Sequence, residues 1–459
     1  MQQYMPYMQD DVLKKYVDEM SADVRERYYI DPAKYASYNV KRGLRNMDGT
    51  GVMAGVTRIG SVQGYMMLDG EPIPMPGRLY YRGIEISQIV KYHAEHKTFG
   101  FEEVAYLLLL GKLPTEAQLR SYDAVQSAAR RLPDGFAEDM ILKAPSRSVM
   151  NKLSRAVLAL YTYDPNPDET SVENMVRQSI ELVGRVPIIA AYAYAVKRHY
   201  YDGQSLIFHV PQEDLSLAEN FLHIMRPDTA FTEDEALLLD ILLMLHAEHG
   251  GGNNSAFACR VLSSTGTDTY GAISAAINSL KGPLHGGANQ KVMEMLENVK
   301  QNVPDPGNES ALRDYLSKMA DGEVYDGAGK IYGLGHAVYT ESDPRAVLLK
   351  EYARKMADQK GFGDDFRLME EIERIGKEVL TEKLQGKKTL CANVDMYSGL
   401  VYRMLDIPQE LMTPMFAIAR MAGWCGHRME EILTGGRIIR PAYRAVMPHT
   451  DYVPIEDRV

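Results

Sequence analysis

Apolar residues recur at helical spacing along most of the chain. Over residues 11–27, Val12, Tyr16, Met20 and Val24 repeat every fourth position and predict a surface helix. Residues 46–76 break this pattern. Glycine and proline are frequent there, and a short β-rich piece (residues 62–68) runs into Asp69-Gly70, so a small strand or hairpin region is predicted. From Phe101 onward helical patterning returns. Thr232-Glu233-Asp234-Glu235 has the form of a capping box, and the apolar run behind it, interrupted by Asp240, describes a helix buried on all sides. That helix is expected to extend through His246-Ala247-Glu248-His249 and to stop at Gly250-Gly251-Gly252. His246 and His249, three apart, would then share one face. Further helices are predicted over residues 289–301, with Val292, Met295, Leu296 and Val299 on one face, and over 396–405, closed before Pro408. Thr413-Pro414 reads as an N-cap followed by proline at the first position of a helix that carries Arg420. Residues 304–307 and 360–365 read as polar loops, and no internal repeat is evident.

A chain of 459 residues, 45% hydrophobic and 25% charged, has room for a large domain plus a smaller one. Its formal net charge is −11. Nucleic-acid binding is therefore disfavoured, and an anionic ligand has to be met by a local cluster of arginines. Cys259, Cys391 and Cys425 form no CxxC pair, which suits a reducing, cytoplasmic setting without a thiolate metal site. The start of the chain lacks the basic and apolar regions of a secretory signal. The longest apolar run, residues 236–245, is too short to span a bilayer. No membrane partner is expected.

Three segments carry the chemistry. Gly282-Pro283-Leu284-His285-Gly286-Gly287 places a histidine just before a helix, whose backbone donors would keep the ring neutral. A neutral histidine is a good hydrogen-bond donor to a carbonyl, and the plainer alternative is a structural histidine in a turn. Gly333-Leu334-Gly335-His336 offers backbone that a ligand can approach closely; the lone Gly-x-Gly lacks the third glycine of a dinucleotide fingerprint, so nicotinamide is not expected. Asp395 stands at a helix start, where it serves either as an N-cap or as a general base. Arg345, Arg420 and Arg440 are each able to clamp a carboxylate through paired hydrogen bonds, or are surface charges. His246 and His249 lack the spacing of a zinc-protease helix, so no metal is expected and contact with an anion is the preferred role. His93 and His96 read as a solvated helix face.

The segments GPLHGGAN, GLGHAVYTESDPR and NVDMYSGLVYRML, together with Tyr81-Arg82-Gly83-Ile84, residues 101–108 and Leu245-His246-Ala247-Glu248-His249 with Asn253-Asn254-Ser255, resemble the citrate synthase family from about Arg78 to Arg440. The resemblance implies a mainly all-α fold with a short β-hairpin near the N-terminus. It implies a large helical domain (1–285 and 396–459), a small one (286–395) and a homodimer. The implied reaction condenses acetyl-CoA with oxaloacetate, through an enol or enolate, to citryl-CoA and then citrate; the thioester is a substrate and no cofactor is required. By the same resemblance Asp395 is the base, His285 the donor to the thioester oxygen, and His336 the group that polarises the oxaloacetate carbonyl. His246, His249, Arg345 and Arg420 meet oxaloacetate. Arg440 reaches across from the other subunit. Lys330, Ile331, Tyr332, Gly333, Leu334 and Gly335 meet CoA. Lys330 occupies the place of an arginine found in NADH-inhibited hexameric relatives, so a plain dimer is expected. The alternatives are 2-methylcitrate synthase acting on propionyl-CoA, a citryl-thioester lyase and a non-catalytic oxaloacetate-binding helical protein.

Overall fold

The computed structural model describes residues 11–46, 48–69, 71–386 and 390–458, apart from the side chains of Val12, Leu13, Ala22 and Pro72. The contribution of Val12 to the first helix and the turn at Gly70 therefore lie outside the described residues. Two compact units are present. One joins the chain up to Met53 to Arg440 and beyond; the other is Ala54–Ile439. The first unit contains the Asp11–Arg27 helix, as its spacing predicts, and a short Pro32–Ser37 helix capped by Asp31.

The second unit is mainly helical, and among the described residues it holds one sheet, three-stranded and antiparallel. In it Gly60–Leu68 pairs with Glu71–Tyr81, which pairs with Ile84–Glu85. The predicted β-rich piece is thus the first strand of a hairpin, whose ladder shifts register between Gln63 and Tyr65. At that shift Gly64 meets the segment after His336, where a Cβ would stand 2.5 Å from the Val338 carbonyl oxygen. At Gly77 a Cβ would stand 2.1 Å from the Ser342 carbonyl oxygen and 2.6 Å from the Tyr339 ring. The Gly77 N–H donates to Ser342 Oγ at 3.1 Å, and the Thr340 hydroxyl donates to the Gly64 carbonyl. Only residues without side chains let the hairpin lie this close to the loop that carries His336.

The core helix Glu233–His246 is buried as its apolar run requires, and Thr232 and Glu235 form the predicted capping box. The polar exception, Asp240, caps a neighbour. Its carboxylate accepts from the Gly100 N–H at 2.7 Å and the Phe101 N–H at 3.2 Å, which begin the Phe101–Leu110 helix. Helix Val172–Asp202 is long and apolar enough to cross a bilayer, but 72% of its most apolar window is buried in the protein interior.

Four sequence expectations need correction. The core helix ends at His246, so His249 lies in the turn beyond it and does not share a helical face with His246. Thr413 and Pro414 lie inside the helix Gln409–Leu433, which starts after the extended Pro408; the Thr413 hydroxyl donates to the Gly286 carbonyl at 2.8 Å. Only residues 360–362 form a loop, because a helix begins at Gly363 with Asp364 and Asp365 in its first turn, where carboxylates suit the helix dipole. His93 is buried, with Nδ1 2.8 Å from Thr98 Oγ1 and Nε2 2.7 Å from Glu103, and so is not part of a solvated face. The helices Ala288–Asn302 and Asp395–Met404 agree with prediction to within one residue at each end.

The close seat of the hairpin is testable by urea denaturation. Gly77→Ala should cost about 1–3 kcal/mol because the new methyl forces backbone apart, whereas Gly55→Ala, with open space around it, should change stability by no more than about 0.5 kcal/mol.

Candidate active site

A cavity of about 310 Å³ is lined by His249, Asn253, Leu280, Leu284, His285, Gly286, Gly335, His336, Ala337, Arg345, Asn393, Val394, Asp395, Phe416 and Arg420. The three separated segments therefore open onto one space. His246 lies behind this wall. Its ring stacks on Phe416 with centroids 3.9 Å apart, and neither ring nitrogen has a hydrogen-bond partner among the described residues. Arg440 belongs to the other compact unit and is exposed. Of the segment 330–335, Gly335 reaches the cavity; Lys330 is exposed, Ile331 is buried, and the Tyr332 hydroxyl donates to Asp326 at 2.6 Å. Gly333 and Gly335 both have left-handed backbone, with φ of 84° and 95°, which favours glycine at these positions.

His336 is held by its own loop. The N–H groups of Val338 and Tyr339 both donate to its Nδ1 at 3.0 Å. These partners assign the lone pair to Nδ1 and the proton of the neutral ring to Nε2. The ring stacks on Tyr339, with centroids 4.5 Å apart, and its centroid is 5.1 Å from that of His249.

His285 places Nε2 3.2 Å from the Ser255 hydroxyl, which also receives Trp424 Nε1–H at 3.2 Å. Burial, then Arg420, lowers its pKa to about 4, so the ring is neutral at physiological pH. Neutrality is as expected, but its cause is not the helix start, which comes only at Ala288. His246 and His249 are held well below the ordinary imidazole range, first by burial and then by Arg345.

Asp395 does not cap its helix. Asn393 Oδ1 accepts its backbone N–H at 3.0 Å, while Asn393 Nδ2 donates to the Gly335 carbonyl at 2.9 Å. The Asp395 carboxylate is thus left for the cavity. Burial raises its pKa to about 6, against the opposing pull of Arg345 and Arg420.

Arg345 is only 3% exposed and forms a two-pronged pair with Asp343, at 3.0 Å from Nε and 2.7 Å from Nη2. Arg420, 7% exposed, makes no ion pair with any described residue, and its Nε has no partner. Burial and the nearby Arg345 lower its pKa to about 10. Two buried guanidiniums facing one cavity, with a single carboxylate clamped to one of them, form a receptor for a small anion. Among the described residues no group of three His, Cys, Asp or Glu side chains is arranged to hold a metal ion.

Sequence reasoning assigned no role to Ser255, Trp424, Asn393, Asp343 or Phe416. Asp343 and Asn393 stood inside quoted motifs, each two residues from an assigned one, and that proximity was the available signal. Trp424 meets Ser255 across 169 residues, which no local pattern reveals.

Residues 46–442 match the family model described as the C-terminal domain of citrate synthase. A citrate synthase from Synechocystis sp. is 34% identical over 89% of this chain and 93% of its own. A 2-methylcitrate synthase from Shewanella oneidensis is 33% identical over 83% and 92%. A Thermoplasma acidophilum citrate synthase, solved as a ternary complex with carboxymethyl coenzyme A and oxaloacetate, superposes with a TM-score of 0.74 at 26% identity, covering 91% of this chain and 99% of that one.

A guanidinium whose pKa falls on folding destabilises the folded chain at every pH below that of the folded group, here about 10. Arg420→Met should therefore raise the melting temperature of the ligand-free protein, corresponding to about 1–3 kcal/mol. In a thermal-shift measurement a small dicarboxylate should stabilise the unaltered chain and should not stabilise Arg420→Met. A lower melting temperature would show that Arg420 is structurally compensated. The family match, the shared fold and this cavity agree: the chain belongs to the citrate synthase family, a family of acyltransferase-type enzymes.

Proposed function

We propose that this protein condenses acetyl-CoA with oxaloacetate and hydrolyses the resulting citryl-CoA to citrate and CoA. The observation that carries the proposal is the meeting of His285, His336, Asp395, Arg345 and Arg420 in one cavity. Arg345, Arg420 and His249 hold the oxaloacetate carboxylates. His336, donating from Nε2, polarises the ketone and stabilises the alkoxide that forms there. Asp395 removes a methyl proton from the thioester while His285, kept neutral by burial and Arg420, donates a hydrogen bond to the thioester oxygen. The enolate carbon attacks the ketone to form the new carbon–carbon bond. Water then cleaves the thioester, releasing the free thiol of CoA.

A carboxylate is a weak base toward a thioester methyl, so the step depends on donors aimed at the developing oxyanion; one such donor is worth about 3 kcal/mol. The segment from Lys330 to Gly335 meets CoA. The chain works in the cytoplasm as a homodimer in which Arg440 completes the partner's site. Residues 286–395 close as a smaller domain over the bound ketoacid, excluding water before the proton is moved. Propionyl-CoA is the competing acyl donor, favoured by the likeness to a 2-methylcitrate synthase; one methylene shifts discrimination by only ~1–3 kcal/mol.

Thiol release from each thioester in the presence of oxaloacetate tests the reading. Faster kcat/KM with acetyl-CoA supports it, faster release with propionyl-CoA reassigns the acyl donor, and no release with either overturns it. His285→Ala, His336→Ala and Asp395→Asn should each lose at least about 10²-fold in kcat while remaining folded. The kcat/KM of the unaltered enzyme should fall as pH drops through about 6, where Asp395 takes up its proton. Asp395→Glu should move that limb, and a limb that stays in place would remove Asp395 from the role of base.

A further inference from the structure

Glu248 stands between the two histidines of the His246–His249 segment, and it is buried without lining the cavity. Two glycines make room for it. A Cβ on Gly60 would stand 2.8 Å from its Cγ, and one on Gly423 would stand 2.5 Å from its Oε2. The Gly250 N–H donates to Oε1 and closes the turn around His249. The Glu248 backbone N–H lies 3.2 Å from the Tyr81 hydroxyl, so the residue before His249 is fixed by main chain and side chain alike.

His427 Nε2 approaches the same carboxylate oxygen at 3.0 Å. On the other side of the ring, Arg260 reaches Nδ1 from Nε at 3.0 Å and from Nη2 at 2.8 Å. Arginine only donates, so Nδ1 is the acceptor and Nε2–H points to Glu248. Arg260 is itself held by Glu431 at 2.8 Å, by Glu430, and by the Thr57 hydroxyl at 3.1 Å. The result is a directed chain running from the half-buried Glu430 and Glu431 through the buried Arg260 and His427 to Glu248.

Helical periodicity places this chain beside the cavity. Arg420, Gly423, His427 and Glu430 recur at three- and four-residue steps on the helix Gln409–Leu433 and so share one face. Arg420 is the end of that face that opens into the cavity.

We propose that Glu248 is a positioning residue for the dicarboxylate end of the cavity: pinned by His427 and Arg260, it fixes the turn that presents His249 and places a negative charge within electrostatic reach of the Arg420 guanidinium. This inference rests on the oxaloacetate reading above. Burial works against ionisation of Glu248, but His427, the Gly250 N–H and Arg420 outweigh it and hold the carboxyl below its usual pKa.

The test is steady-state kinetics on the full-length chain. Glu248→Gln preserves shape and removes the charge. It should raise KM for oxaloacetate by roughly tenfold or more, the scale at which supporting shells act around other sites, with KM for the acyl-CoA unchanged. His427→Leu, which cuts Glu248 from Arg260, should move the same constant in the same direction. His427→Gln, which keeps a donor toward Glu248 and an acceptor toward Arg260, should restore it in part. The proposal is overturned if Glu248→Gln lowers the melting temperature but leaves KM for oxaloacetate unchanged, or if both His427 variants behave alike. Should Glu248→Gln fail to fold, the His427 pair decides alone. Thiol release by the unaltered chain, measured alongside, separates failure of this inference from failure of the functional reading.

Discussion

One buried carboxylate ties the cavity together. Asp343 caps the helix Pro344–Gln359 through the Arg345 N–H at 3.0 Å, grips the Arg345 guanidinium with both oxygens, and accepts the Val394 N–H at 3.2 Å. Val394 immediately precedes Asp395. A single group thus fixes the arginine and the backbone that carries the proposed base, and it neutralises one of two cations that would otherwise be buried side by side. Because it is buried on all sides, its hydrogen bonds are strong and their loss would leave an uncompensated charge. The neighbouring Asn393 performs the same service at shorter range, linking the Gly335 carbonyl to the Asp395 N–H. Two of the chemistry-bearing segments are joined by these contacts, and the third is held by Ser255 against His285 and by the Thr413 hydroxyl on the Gly286 carbonyl.

Burial does the remaining electrostatic work. It drives the His246, His249 and His285 imidazoles toward the neutral form, pushes the Asp395 carboxyl up toward neutrality, and makes Arg420 costly to keep charged. These shifts favour the same chemistry. A neutral imidazole donates without giving up its charge state, a carboxylate with pKa near 6 is a stronger base than an ordinary one, and an under-compensated guanidinium binds an anion tightly. Keeping Arg420 charged in a buried setting costs stability in the ligand-free state.

Local physics made much of this legible. The capping box at Thr232, the glycine-flanked histidines and the β-rich piece near residue 62 each announce their structure over a few residues. The same is true of the site segments, whose ionisable residues stand among turn formers and which the structure brings to one cavity. What stayed hidden depends on contacts between distant parts of the chain. Gly250-Gly251-Gly252 mark a helix stop just beyond His249, but the helix ends at His246, with the Glu248 carboxylate bound to Gly250 and to His427, 179 residues away. For His285 the helix end gives way, as the cause of a lowered pKa, to burial and to Arg420 from a distant helix. Pro414 was misread because a proline in the second turn of a helix and one in the first differ only in where the helix begins, and Pro408 sets that point.

The central claim is that neutral, correctly protonated histidines face a pair of buried arginines. Side-chain ¹⁵N NMR of the histidines in the ligand-free chain, recorded between pH 5 and 8, tests it most directly. The account predicts that His285 and His249 remain neutral across this range and that His336, in its neutral form, carries its proton on Nε2. A His285 that titrates near pH 6.5, or a His336 protonated on Nδ1 in the neutral ring, would contradict it.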